Sequence, residues 1–138
     1  MEGGFRSGEL LADLQGKTVW STVKEINRFG TRVEQNHIGE SRGLLSGRYR
    51  DTTEVFRKSD GTLELDARCV SGTPEGEVAL SLGHGSGRLS GPSEYFVDGE
   101  ATFVTQSSKL AWLNPRKGRY ELVCDLRSGD FELKTYLL

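Results

Sequence analysis

Two polar pairs are the residues in this sequence best placed to do chemistry: Glu34 with Asn36, and Asp66 with Arg68. The members of each pair stand two positions apart, so on a strand each pair projects from a single face. Turned into a shared interior, the carboxylate and the guanidinium would have to pair with each other or with a polar ligand. Glu34 or Asp66 would then serve as the acid–base group, and Arg68 as the partner of an anion or a developing oxyanion. Turned outward, the same residues are an ordinary solvated face, the commoner fate of charged side chains. The spacing leaves both orientations open.

His84 is a further acid–base candidate. It continues the alternate apolar positions Val78, Leu80 and Leu82, which predicts an inward-pointing imidazole. The chain's other histidine, His37, and His84 both lack a ligand spacing to a second His or to a Cys pair, so no metal site is expected. The run Gly83-His84-Gly85-Ser86-Gly87-Arg88 has the glycines of a phosphate cradle without its Lys-Ser/Thr ending or the helix that would follow. Gly85-Ser86-Gly87 also lacks the outer frame of a hydrolase nucleophile elbow. A bent strand accounts for these glycines better.

Composition removes other functions. The net charge of −2 is spread along the chain, and Trp20 and Trp112 stand apart, so no nucleic-acid face is expected. The N-terminus lacks an apolar leader, and no stretch approaches the roughly 20 apolar residues that span a bilayer, so a cytoplasmic protein without membrane partners is expected. Cys69 and Cys124 lie in strand-like, apolar surroundings and read as free buried thiols.

The elements that must position these residues are nearly all strands. Ser7 to Gln15 reads as one short helix, with Leu10, Leu11 and Leu14 at helical spacing and a stop at Gly16, so residues 1–16 form an N-terminal arm or helix. From Lys17 the period becomes two. Strands are expected at 18–26, 31–38, 44–49, 54–58, 62–70, 77–82, 100–105, 119–126 and 131–137, with turns at Arg28-Phe29-Gly30, Ser59-Asp60-Gly61, Thr73 to Gly76, Asp98-Gly99, Pro115 to Gly118 and Ser128-Gly129-Asp130. Alternation is clearest in Leu63, Leu65, Ala67 and Cys69, and in Tyr120, Leu122, Cys124 and Leu126. About eight to nine strands, each with one apolar face and no helix long enough to cover them, must bury those faces against one another. The expectation is an all-β, small, closed antiparallel barrel of lipocalin-like size, forming one domain over residues 1–138.

Two segments carry a family resemblance: Ser59-Asp60-Gly61-Thr62-Leu63-Glu64-Leu65-Asp66-Ala67-Arg68, and Lys109-Leu110-Ala111-Trp112-Leu113-Asn114 before a last strand ending Thr135-Tyr136-Leu137. Over roughly its C-terminal two-thirds, the chain resembles the small bacterial barrel proteins of domain-of-unknown-function family three-two-three-seven. The resemblance implies a calycin-like barrel with a ligand-sized interior, and puts Asp66, Arg68, Trp112 and Asn114 at the shared motif positions.

The leading expectation is that the barrel binds a small, partly apolar organic molecule, with Asn36, Asp66, Arg68, Trp112 and Asn114 as its contacts. The alternative is a cofactor-independent enzyme of isomerase, cyclase or hydrolase type using Glu34, Asp66, Arg68 or His84. A third is a structural or oligomerising domain with a packed interior. No cofactor is implied, and homo-oligomerisation is compatible with each.

Overall fold

Alternating apolar and polar residues carry the chain through eight antiparallel strands in a computed structural model that describes residues 8–138. They are β1 (Leu10–Asn27), β2 (Gly30–Arg42), β3 (Gly47–Lys58), β4 (Thr62–Gly72), β5 (Val78–Ser90), β6 (Glu94–Val104), β7 (Lys117–Asp125) and β8 (Asp130–Leu137). Each pairs with the next, and β8 returns to β1, closing the sheet into an up-and-down barrel. Eight strands give an interior that side chains can almost fill.

That interior is lined by the alternating residues. Leu63, Leu65 and Cys69 on β4, Tyr95, Val97, Ala101 and Phe103 on β6, and Tyr120, Leu122 and Cys124 on β7 are all buried. The β2–β3, β4–β5 and β6–β7 connections share one end of the barrel. There the β6–β7 connection forms a short 3-10 helix, Ala111–Leu113, whose Leu113 is fully buried beside buried Leu110. Together they supply on the order of 3–6 kcal/mol of apolar burial at that end.

Three expectations change. The N-terminal helix is absent: β1 begins at Leu10, while Ser7 lies outside the described residues. A bulge at Leu11 turns both Leu11 and Ala12 inward, and Leu14 follows, so a bulged strand mimics the apolar spacing of a helical turn. The strand candidates at 44–49 and 54–58 merge into one strand, β3, which starts only at Gly47, because the polar residues between them are also paired on both sides. Asp98-Gly99 lies within β6 rather than at a turn.

Beyond Lys17, β1 leaves β8 and continues as an arm paired with β2, which itself stays paired with β3 as far as Lys58. Trp20, Val23, Ile26 and Phe29 on that arm are exposed. Lys24 bridges Glu34 and Glu54, and Arg32 bridges Glu25 and Glu54.

Candidate functional site

The barrel interior holds a polar cluster midway along its strands. Registers place His37 opposite Asp51, and Asp51 opposite Cys69, so three adjacent strands bring these side chains to one level. The side chains of His37 and Asp51 are 2% and 5% exposed. His37 Nδ1 lies 2.7 Å from Asp51 Oδ1, to which the Thr53 hydroxyl also donates at 3.1 Å. The Tyr49 hydroxyl donates to Asp51 Oδ2 at 2.5 Å and lies 3.1 Å from Cys69 Sγ. A hydroxyl has one proton; with it committed to the carboxylate, the thiol S–H closes the second contact.

The carboxylate therefore receives three donors, and the electrostatics follow. Burial alone would lower the His37 pKa; the hydrogen bond and charge of Asp51, with the Cys124 sulfur nearby, outweigh it and push the pKa up to about 9. His37 is an imidazolium at neutral pH, its Nδ1–H aimed at Asp51. Burial, reinforced by the Asp51 charge, pushes the Cys69 thiol up to about 12. Burial, with Cys69 and Asp51 adding to it, likewise holds the Tyr49 phenol well above its usual range. Thiol and phenol are both neutral proton holders here.

Beside the cluster is a cavity of about 50 Å³, lined on its apolar side by Leu65, Phe103, Leu122, Phe131 and Leu133. Tyr120 also lines it, and the β5 glycines make this placement workable. A Cβ on Gly85 would fall 2.5 Å from the Tyr120 hydroxyl oxygen and 2.5 Å from the Asp98 carbonyl oxygen. One on Gly83 would sit 3.2 Å from Tyr120 Cε1. The glycine run thus seats an aromatic ring against the barrel wall, and its role is packing.

Comparison with solved structures shows the fold. The chain superposes on a conserved protein of unknown function from Rhodopseudomonas palustris with TM-score 0.75 at 15% identity, covering 94% of this chain and 96% of that one. A β-barrel-like protein from Acinetobacter baumannii gives TM-score 0.72 at 20% identity, with 94% and 93% covered. An enzyme from Penicillium herquei gives TM-score 0.65 at 20% identity, with 93% and 92% covered. No protein-family model and no curated protein matches the sequence.

The residues singled out from the sequence lie elsewhere. Asp66 and Arg68 are exposed on the outside of β4, because Leu65, Ala67 and Cys69 take the inward positions. Glu34 and Asn36 share the outer face of β2, where Asn36 Nδ2 donates to Thr52 Oγ1 at 3.1 Å. His84 is also outside, its Nδ1 2.8 Å from Asp66 Oδ1 with both side chains well exposed. Val78, Leu80 and Leu82, the apolar positions it continues, are themselves 49%, 44% and 49% exposed. The inward face of β5 instead carries Ala79, Ser81, Gly83 and Gly85. Asn114 braces the β6–β7 connection through both backbone atoms of Thr105, and Trp112 packs half-buried against the core. Neither lines the cavity.

The structure brings Glu34, Asp66, Arg68 and His84 together, but around an outer-face groove rather than the interior. Among the described residues, no group of three or more His, Cys, Asp or Glu side chains could hold a metal ion. No described helix is long and apolar enough to cross a membrane.

Proposed function

We propose that the barrel binds one small, largely apolar organic molecule in its interior, against the His37–Asp51–Tyr49–Cys69 cluster. One observation carries this reading: a buried ion pair stands at the wall of a largely apolar cavity. A buried ion pair is weak evidence for stability, since aliphatic side chains of like volume would serve the fold at least as well. Charged groups with displaced pKa values beside a concave apolar space are the usual composition of a ligand site.

The cavity sets the scale. At about 50 Å³ it has room for roughly three to five waters, and it is about one third of the ~150 Å³ void known to take benzene. A ring-sized ligand therefore enters only as side chains such as Leu133 give way. Native mass spectrometry of protein purified from its own cells tests the reading. The expected result is a bound organic mass that is lost from His37→Gln; a mass spectrum of bare protein, with crystals showing water alone inside, would overturn it.

A second reading is favoured by the same pair. An imidazolium oriented by a carboxylate is a ready proton donor, so the site suits a cofactor-independent isomerase, cyclase or hydrolase in which His37 is the acid. The Penicillium herquei relative is described as an enzyme, which agrees with that direction. The calycin-like affinity, the kinship with family three-two-three-seven and a cytoplasmic location, where Cys69 and Cys124 stay reduced, belong to this proposal as well.

A further inference from the structure

Hydrogen-bond accounting inside the barrel narrows the ligand further. Asp51 takes its three donors, Tyr49 and Thr53 are spent on it, and the Tyr95 hydroxyl donates to Gln35 Oε1 at 2.9 Å. Among the described residues, the buried side-chain polar atoms left without a partner are Asp13 Oδ1, His37 Nε2 and the Tyr120 hydroxyl. Asp13 is not at the cavity, whereas His37 and Tyr120 both line it. They are 2% and 4% exposed, so bulk solvent does not reach them; only a guest inside the cavity can accept from them, and a buried donor left unpaired is expensive.

Both can donate. With Nδ1–H committed to Asp51, the imidazolium has only Nε2–H left. Burial, with Cys69 and the carboxylates of Asp66 and Asp98 adding to it, raises the Tyr120 pKa and keeps its O–H intact. The one carboxylate at the cavity is already paired with the His37 imidazolium, so a cationic ligand finds no free counter-charge there. The groups that face His37 are Asp51 on β3 and Cys124 on β7; the Cys124 sulfur lies near enough to help raise the His37 pKa, yet outside hydrogen-bonding geometry at Nε2, which keeps its N–H for a better acceptor.

We propose that the ligand presents an oxygen acceptor, of the carbonyl, enol or phenol class, to His37 Nε2–H and the Tyr120 hydroxyl, and that the site favours its oxyanion. This rests on the reading of the interior as a ligand site. Two donors, one of them charged, stabilise an oxyanion more than its neutral parent. The apolar lining receives the rest of the molecule.

Two probes of the same shape separate the ideas: p-nitrophenol, whose ionised form is coloured, and p-nitrotoluene, which lacks the oxygen. Binding is mapped by NMR on the folded full chain, and ionisation of bound p-nitrophenol is followed by absorbance against pH. Both probes are expected to shift the resonances of cavity residues, with bound p-nitrophenol ionising at least about one pH unit below the free compound, an anion preference of about tenfold or more. Tyr120→Phe and His37→Gln should each reduce that preference by about threefold or more while changing the p-nitrotoluene Kd less than about twofold. Tyr120→Phe removes one oxygen and keeps the ring, so it holds the test open if His37→Gln fails to fold. Equal ionisation of bound and free p-nitrophenol, or a preference untouched by Tyr120→Phe, would overturn the oxyanion inference and leave the site standing. Failure of both probes to reach the interior would overturn the site itself.

Discussion

Stability should fall across the mildly alkaline range chiefly because of His37. Its pKa rises from 6.5, the value expected in the unfolded chain, to about 9 when folded. A group whose folded pKa is raised contributes stability that is fully present below the unfolded value and is lost as pH rises through the folded one. The displacement, at 1.36 kcal/mol per unit, corresponds to about 3 kcal/mol, present at pH 6 and mostly gone by pH 9. That is a large share of a typical domain's ~5–15 kcal/mol. The assay is urea denaturation at closely spaced pH values from 6 to 9, in a His84→Asn background that removes the other imidazole. The Cys69 thiol does not confuse this window, since its unfolded value of 9.0 is the upper limit and its effect comes above it. The parent should lose stability at just over ~1 kcal/mol per pH unit in mid-window, and the His37→Gln variant should be nearly flat. The gap between them should then close from about 3 kcal/mol at pH 6 toward a small residue at pH 9. A flat parent curve, or equal slopes in the two proteins, would refute the buried ion pair as described.

Three further outcomes follow from the same geometry. Tyr49→Phe removes a donor from Asp51 and the partner of Cys69, and should lower stability by about 2 kcal/mol in urea titrations at pH 7. Gly85→Ala places a Cβ against the Asp98 carbonyl and the Tyr120 hydroxyl; because backbone cannot yield, a loss of more than about 2 kcal/mol and a displaced Tyr120 ring by NMR are expected. Asp66→Asn and Arg68→Ala touch only the solvated outer face, so thermal unfolding should move by no more than the equivalent of about 0.5 kcal/mol and probe binding should be unchanged.

Those outer-face residues show what alternation can and cannot say. Asp66 and Arg68 share a face because they are two apart, and they do. Which face is a separate fact, decided by the apolar set of the same strand: Leu63, Leu65 and Cys69 are buried, so Asp66 and Arg68 are not. On β4 the sequence contained that answer. On β5 it misled, because Val78, Leu80 and Leu82 are the more apolar set and yet lie outside, partly exposed. The inward positions of β5 had to be small to admit the Tyr120 ring, which reaches them over Gly99 of β6, a constraint from β7 that no local pattern on β5 carries.

The same kind of constraint hid the candidate site. Tyr49, Asp51, Thr53 and Val55 keep strict period two along β3, and their registers put the first three beside His37 and Cys69. Period two was visible, but Asp51, Thr52 and Thr53 read as a break because an inward Asp is costly without a partner. The partner is His37, fourteen residues away on the neighbouring strand. Had β2 and β3 been aligned as one hairpin from Gly30 to Lys58, His37 would have fallen opposite Asp51 without further information. A polar residue that holds the inward phase of a strand is thus a better pointer to the interior chemistry of a barrel than a charged pair that shares a face. It breaks the local rule for burial, and such breaks are expected where function rather than packing sets the residue.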